Sequence, residues 1–253
     1  MKKDTVLITG ASSGIGREMA RIAARDVHKL ILVGRNADRL DEIKKELSDG
    51  RADFEIITEI TDLSIHDNCV NLHGKYPDVD LLINNAGFGD FGEFDKTALD
   101  KDLLMIETNV AALHILTKLY LKDMVEKDSG HILNVASIAG FMPGPMMATY
   151  YATKSYVVRL SEAIRQELKR KRSKVGISIL CPGPVNTEFA KNANIAFLFM
   201  GTNARGVAEY ALKHLNRFYI VPKFYVKISR IALRLIPTAL TARIVYFLQS
   251  KRK

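Results

Sequence analysis

Short aliphatic runs punctuate the first part of the chain: Thr5–Ile8, Leu30–Val33, Asp53–Thr58, Leu81–Asn84, His131–Ala136 and Ile177–Cys181. Most are continuous and do not alternate apolar with polar positions. A strand that shows water neither face reads this way, so the runs predict a parallel sheet covered on both sides. Longer stretches between them carry a helical period: Ile15–Arg25, Ala37–Leu47, Asp100–Val125 (with room for an interruption) and Tyr151–Lys171. In the first of these, Arg17, Glu18, Arg21 and Arg25 oppose Met19, Ile22 and Ala23, as in a helix lying on a sheet. Strands alternating with helices predict an α/β chain, a doubly wound parallel sheet of Rossmann type in a single domain. No internal repeat, low-complexity tract or linker interrupts it.

The segment Thr9-Gly10-Ala11-Ser12-Ser13-Gly14-Ile15-Gly16 joins the first predicted strand to the first predicted helix. Glycines there permit a tight turn and let backbone N–H groups at the helix N-terminus approach a pyrophosphate. The spacing is Gly-x-x-x-Gly-x-Gly, and its place between strand and helix is what makes it a dinucleotide signal. The second strand ends in Gly34-Arg35, about 20 residues on, where an NAD-selective site places an acid. A carboxylate would repel a ribose 2′-phosphate, whereas a guanidinium binds it through charge-assisted hydrogen bonds. NADP(H) is therefore the expected cofactor.

From Thr5 to about Thr187 the chain resembles the short-chain dehydrogenase/reductase family, with the family's motifs in order. Beside the glycine turn (Gly10, Ser12, Ser13, Gly14, Ile15, Gly16) stands Asp62-Leu63, which the resemblance places on the adenine ring. Asn84-Asn85-Ala86-Gly87 follows the fourth strand and is implied to support the sheet and line the cofactor. Asn109, Ser137, Tyr150 and Lys154 match the family's catalytic tetrad. Pro182-Gly183, with Val185 and Thr187 after it, matches the segment packed on the nicotinamide. By resemblance, Asn109 holds a relay water for Lys154, Lys154 grips the nicotinamide ribose, and the protein is a homodimer or homotetramer.

The chemistry of the residues points the same way. Tyr150 and Lys154 are four apart on a predicted helix and share a face. A free phenol has a pKa of about 10, too high for acid/base work at neutral pH. A neighbouring ammonium, and the charge of an oxidised nicotinamide, are expected to lower it. Tyr150 would then protonate an alkoxide as hydride arrives, or take the hydroxyl proton in reverse. Ser137, at the end of the fifth strand, would donate to the same oxygen. Taken singly, a Tyr-x-x-x-Lys pair is a common surface contact and a serine there a common cap. Tyr151 adjoins Tyr150, but only Tyr150 stands four residues before Lys154. The six histidines show no metal-ligand spacing, and Cys69 and Cys181 have no local histidine partner, so neither a metal nor a nucleophilic cysteine is expected.

Charge changes the picture at the C-terminal end. The net charge of +9 gathers in residues 210–253, which hold ten Lys or Arg and no Asp or Glu. Taking those ten from the 37 basic residues of the chain leaves 27 against 28 acidic ones. The chain therefore divides into a near-neutral catalytic and cofactor-binding part, residues 1–210, and a basic extension, 211–253. Lys223, Lys227, Arg230 and Arg234 form one stripe on a helix, with Phe224, Val226, Ile228, Ile231 and Leu235 over much of the rest. After Pro237 comes the apolar stretch Ala239–Leu248, then Lys251-Arg252-Lys253. Such a basic amphipathic segment suits peripheral contact of residues 217–253 with an anionic membrane. Packing on the body and a subunit interface are the competing roles. Basic and aromatic residues do not interleave as nucleic-acid binding requires. Two cysteines, no signal-peptide pattern and no run of about 20 apolar residues make the cytoplasm the expected compartment.

Three loops are apolar: Phe88, Phe91 and Phe94; Phe141-Met142-Pro143-Gly144-Pro145-Met146-Met147; and Ile195-Ala196-Phe197-Leu198-Phe199-Met200. Aromatic and methionine side chains make an adaptable wall, so a hydrophobic ketone or aldehyde and its alcohol are the expected substrate pair. Ordinary core packing is the competing reading of the same residues. Two rivals to the whole reading are an NADP(H)-sensing or scaffolding protein that docks through its tail, and an NAD-preferring dehydrogenase.

Overall fold

Along the first strand Val6 and Ile8 pack to one side, Leu7 to the other, and none of the three is exposed. Both faces of the strand are covered, which is why its sequence is continuously apolar. The computed structural model describes residues 4–48, 50–189, 201–223, 226–228, 232–233 and 235–250. Seven parallel strands form the main sheet: β1 (Thr5–Thr9), β2 (Lys29–Gly34), β3 (Glu55–Ile60), β4 (Leu81–Asn84), β5 (His131–Val135), β6 (Gly176–Leu180) and β9 (Tyr219–Ile220). Their order is β3-β2-β1-β4-β5-β6-β9, the doubly wound sheet expected. A separate pair joins β7 (Val185–Asn186) to β8 (Thr202–Asn203).

On one face, α1 (Gly14–Ala23), α2 (Ala37–Leu47) and α7 (Ala204–Lys213) bury Met19, Ala20, Leu40, Ile43, Val207 and Ala208. On the other, α3 (His66–Lys75), α5 (Leu113–Glu126) and α6 (Ala148–Arg170) bury Leu72, Leu116, Tyr120 and Val157. The chain winds outward from β1 to β3, then returns to place β4 beside β1. Connections leave these two strands in opposite directions, which opens a crevice at their carboxyl ends.

The expected helix Asp100–Val125 is three pieces: α4 (Leu99–Ile106), a π-helical turn Glu107–Ala112, and α5. α6 begins three residues before its expected start, so Tyr150 lies in its first turn. β3 starts and ends two residues later than expected because its ladder follows β2 to its end, pairing Glu59 with Val33 and Ile60 with Gly34. β9 lies within the basic extension, and Phe218, Val221 and Val226 around it enter the core. Two residues are too few to give a period, so nothing in the pattern marks this strand. The extension also holds α8 (Thr238–Ser250). Arg230, Ile231, Arg234, Phe224 and Lys251-Arg252-Lys253, as well as the loop Ile195–Met200, lie outside the described residues.

Candidate active site

The segment after β1 turns because Gly10 takes φ +66°, where an added Cβ would also stand 2.9 Å from the Ala86 Cα. Gly16 meets the turn from behind: a Cβ there would lie 2.3 Å from the Gly10 carbonyl oxygen. The turn and the strand end of β4 clamp each other. The Thr9 hydroxyl accepts from the backbone N–H groups of Asn85 and Ala86 at 3.0 Å. In return the Asn85 amide donates to the carbonyls of Thr9 and Gly10 at 3.0 and 3.1 Å. Ser13 begins α1 without a side-chain cap, and no acid occupies its first turn. The amides of that helix end therefore point into the crevice without a side-chain acceptor at Ser13, a setting that suits an anion.

The crevice is a cavity of about 690 Å³. Its walls include Gly10, Ser12, Ser13, Gly14, Ile15, Arg35, Asp62 and Leu63 toward one end, with Asn85 and Ala86 after β4 between the two. Toward the other stand Ser137, Tyr150, Lys154, Pro182, Gly183 and Val185, with Gly87 beside Lys154, while Thr187 reaches back to Gly14. These eighteen positions, scattered over the sequence, meet because the loops and helix starts that carry them follow carboxyl ends of the same sheet. Gly16 and Asn109, by contrast, sit behind the wall. Arg35 is 61% exposed and reaches 3.8 Å from the Asp62 carboxylate. Burial pushes the Asp62 carboxyl up, but the Ser64 N–H and hydroxyl, with Arg35, outweigh it and hold it below its ordinary value.

At the other end α6 carries the pair Tyr150 and Lys154. The buried Lys154 ammonium donates to the Val135 carbonyl at 2.9 Å and lies 5.9 Å from the Tyr150 ring centre. Burial disfavours its charge and lowers its pKa to about 8, with Cys181 acting weakly the other way. The same burial pushes the Tyr150 phenol up, against a hydrogen bond with Ser137 that lowers it. Ser137, not Lys154, supplies the lowering, the neighbouring Tyr151 adds to the rise, and desolvation drives both Tyr150 and Lys154 toward neutrality. Ser137 also does what an isolated serine there would do, its hydroxyl accepting the Ala139 N–H at 3.2 Å to cap a short 3-10 turn.

Asn109 enters from the π-helical turn, whose wider winding is often found at functional sites. Its amide brackets one backbone position: Oδ1 accepts the Phe88 N–H at 3.0 Å and Nδ2 donates to the Phe88 carbonyl at 2.8 Å. Nδ2 also reaches Thr153 Oγ1 at 3.2 Å, and Thr153 in turn donates to the Tyr150 carbonyl. Gly87, with no side chain, leaves Asn109 Oδ1 and Lys154 Nζ facing the same space.

A family model for the short chain dehydrogenases matches residues 4–196. The chain belongs to the short-chain dehydrogenase/reductase family of oxidoreductases. One relative is the dehydrogenase/reductase SDR family member 7B of Mus musculus, 33% identical over 199 residues. The match takes in 76% of this chain but only 61% of that protein. A solved short-chain dehydrogenase from Sphingobium yanoikuyae, in complex with NADPH, is 30% identical. Its TM-score is 0.83 over 91% of this chain and 92% of that one. Another from Burkholderia phymatum, in complex with NAD, is 26% identical with a TM-score of 0.80 over 92% of each.

Within this short-chain dehydrogenase/reductase, several wall residues carry no sequence signal of their own. Arg39 lines the cavity and forms a two-pronged ion pair with Glu188, the second contact at 2.8 Å. The Phe189 ring lies tilted, its centre 5.2 Å from that of Tyr150, and Tyr151 and Met147 close the same apolar end. The expected apolar loops divide between roles. Phe88 lines the cavity, Phe91 packs behind Met147, Phe141 joins the main core, and Phe94 faces solvent. Among the described residues no helix is long and apolar enough to cross a membrane.

Proposed function

We propose that the chain transfers hydride between NADPH and a hydrophobic ketone or aldehyde, with Tyr150 as general acid/base. The observation that carries this reading is the convergence of Ser137, Tyr150 and Lys154 on the cavity whose far end holds the glycine turn and Arg35. That cavity suits a dinucleotide: an α1 N-terminus with no side-chain cap for the phosphates and a long crevice for the rest. Gly10, Ser12, Ser13, Gly14 and Ile15 would hold the pyrophosphate, Asp62 and Leu63 the adenine, Asn85 to Gly87 the middle, and Pro182, Gly183, Val185 and Thr187 the nicotinamide. Arg35 favours NADPH, since its guanidinium faces the end where a 2′-phosphate would sit.

The nicotinamide, when bound, supplies or accepts the hydride at the carbonyl carbon. Everything else falls to the chain. Tyr150, kept protonated by its burial, gives its phenol proton to the developing alkoxide. The Ser137 hydroxyl donates to the same oxygen and holds it in reach of Tyr150. Lys154 places positive charge beneath the tyrosine, and Asn109 fixes the Phe88 backbone and, through Thr153, the first turn of α6. Phe88, Met147, Tyr151 and Phe189 make the apolar wall that favours a hydrophobic substrate. A second copy of the chain is proposed to cover α4, where Leu99, Leu103 and Ile106 form an exposed stripe.

The test is cofactor oxidation followed at 340 nm with NADPH and NADH, against hydrophobic and small polar ketones, for wild type and Tyr150→Phe. NADPH-dependent turnover of hydrophobic ketones that disappears in the variant is expected. Binding of NADPH without turnover of any ketone would remove the catalytic reading.

A further inference from the structure

α8 is apolar on more than the side it buries. Thr241, Val245 and Gln249, spaced by four, form the seam that meets the body. Each residue just before them, Leu240, Ile244 and Leu248, lies about 100° round the helix and is 49%, 45% and 40% exposed. Phe247 extends this outer stripe, Arg243 borders it, and Leu235 and Ile228 are exposed nearby in the chain. A helix with apolar residues on a buried and an exposed side is normally covered on both. α8 also touches the site. The Gln249 amide donates to the Tyr151 hydroxyl at 3.0 Å, and Tyr151 is part of the cavity wall. Leu248, at the end of the outer stripe, is thus one residue from the contact that touches the cavity.

Charge decides what covers the stripe. Residues 210–253 hold ten basic side chains and no acidic one. Two copies of the chain meeting through α8 about a two-fold axis would set this segment against itself, positive against positive. A lipid surface with anionic headgroups complements both features: apolar residues enter the headgroup boundary and the lysines and arginines meet the phosphates.

We propose that the outer face of α8 seats the protein on an anionic membrane surface, with the Tyr151 wall of the cavity beside the lipid. An apolar carbonyl compound dissolved in the bilayer then reaches the cavity without crossing bulk water. This second half rests on the apolar-carbonyl reading above; the docking surface does not.

The experiment is co-sedimentation of the full chain with phosphatidylcholine vesicles, with and without phosphatidylserine, for wild type and Leu240→Glu/Ile244→Glu. Wild type is expected to bind the phosphatidylserine vesicles, to release them as salt is raised, and to bind pure phosphatidylcholine weakly. The double variant is expected to lose about tenfold or more in binding while keeping its melting temperature and its turnover of a water-soluble ketone. Wild type that stays in solution, or a variant that binds equally well, overturns the proposal. So does a variant whose only change is dissociation of an oligomer, which would make the stripe a contact between copies. Vesicle binding by a protein that reduces no ketone would leave the docking surface standing and remove the catalytic reading instead.

Discussion

Lys154 and Tyr150 are drawn in opposite directions by the same cause. Each is buried in the wall of the cavity, and burial favours the neutral form of each, so the lysine falls to about 8 and the phenol rises. For carbonyl reduction the raised phenol is useful, because the acid stays loaded at neutral pH. The lysine is the group that titrates within reach. Below about pH 8 its ammonium is present, and as pH rises through that value it is lost, so kcat/KM for reduction is expected to fall on the alkaline side. A pH–rate profile that stays flat across that range would remove Lys154's charge from the mechanism. The stability linkage has its own sign. The folded value lies below the ordinary 10.5, so the buried charge costs stability below about pH 8, and that cost is relieved as pH climbs between the two values. Arg35→Ala should weaken NADPH binding about tenfold, a loss typical of an exposed charge-assisted contact, and leave NADH binding unchanged. Titration of both cofactors by fluorescence checks it, and equal losses would contradict the assignment.

Elements bring these side chains together, and the joints between elements are where sequence reading thins out. The strand ends and the glycine turn were legible because each carries its own local signal, a buried aliphatic run or an unusual backbone need. Asn109 was legible only by motif order. Its position in a π-helical turn between α4 and α5 breaks the 3.6-residue period that would have shown which way it faces. Beneath the site a second network was not visible in advance. Asn84 donates to Asn134 and Thr117 at 3.0 Å, and Asn134 donates to Ser161 at 3.0 Å, all of them buried, tying β4 and β5 to α5 and α6. No spacing rule predicts such a knot, since its members lie up to dozens of residues apart and meet only after the sheet forms. Asn134→Ala leaves the Asn84 amide and the Ser161 hydroxyl short of partners in a dry interior, and a loss of about 1–3 kcal/mol is expected. Urea denaturation measures it; a variant as stable as wild type would show that the network contributes nothing.

At the scale of the whole molecule, the doubly wound order makes the site. Outward winding from β1 and the return to β4 open one crevice; the glycine turn and the segments after β4, β5 and β6 leave the sheet at that edge, and α6 brings Tyr150 and Lys154 to it. The core on either side is correspondingly dense. Leu7 is fully buried between β-strands and helices on the α5 side, and Leu7→Ala is expected to cost about 2–5 kcal/mol. A much smaller shift in the unfolding midpoint would mean that the cavity left behind can collapse. The sequence by itself determined the class of fold, the glycine turn, the tyrosine–lysine pair and the concentration of positive charge beyond residue 210. These are set by periods, backbone conformations and spacings that act within a few residues. Only the tertiary structure decided that burial raises the Tyr150 phenol and that Arg39 reaches across to Glu188. It alone recruited Tyr219–Ile220 as a seventh strand and laid α8 against Tyr151. Those facts depend on which distant surfaces meet and how much water they exclude, and neither quantity exists until the chain has folded.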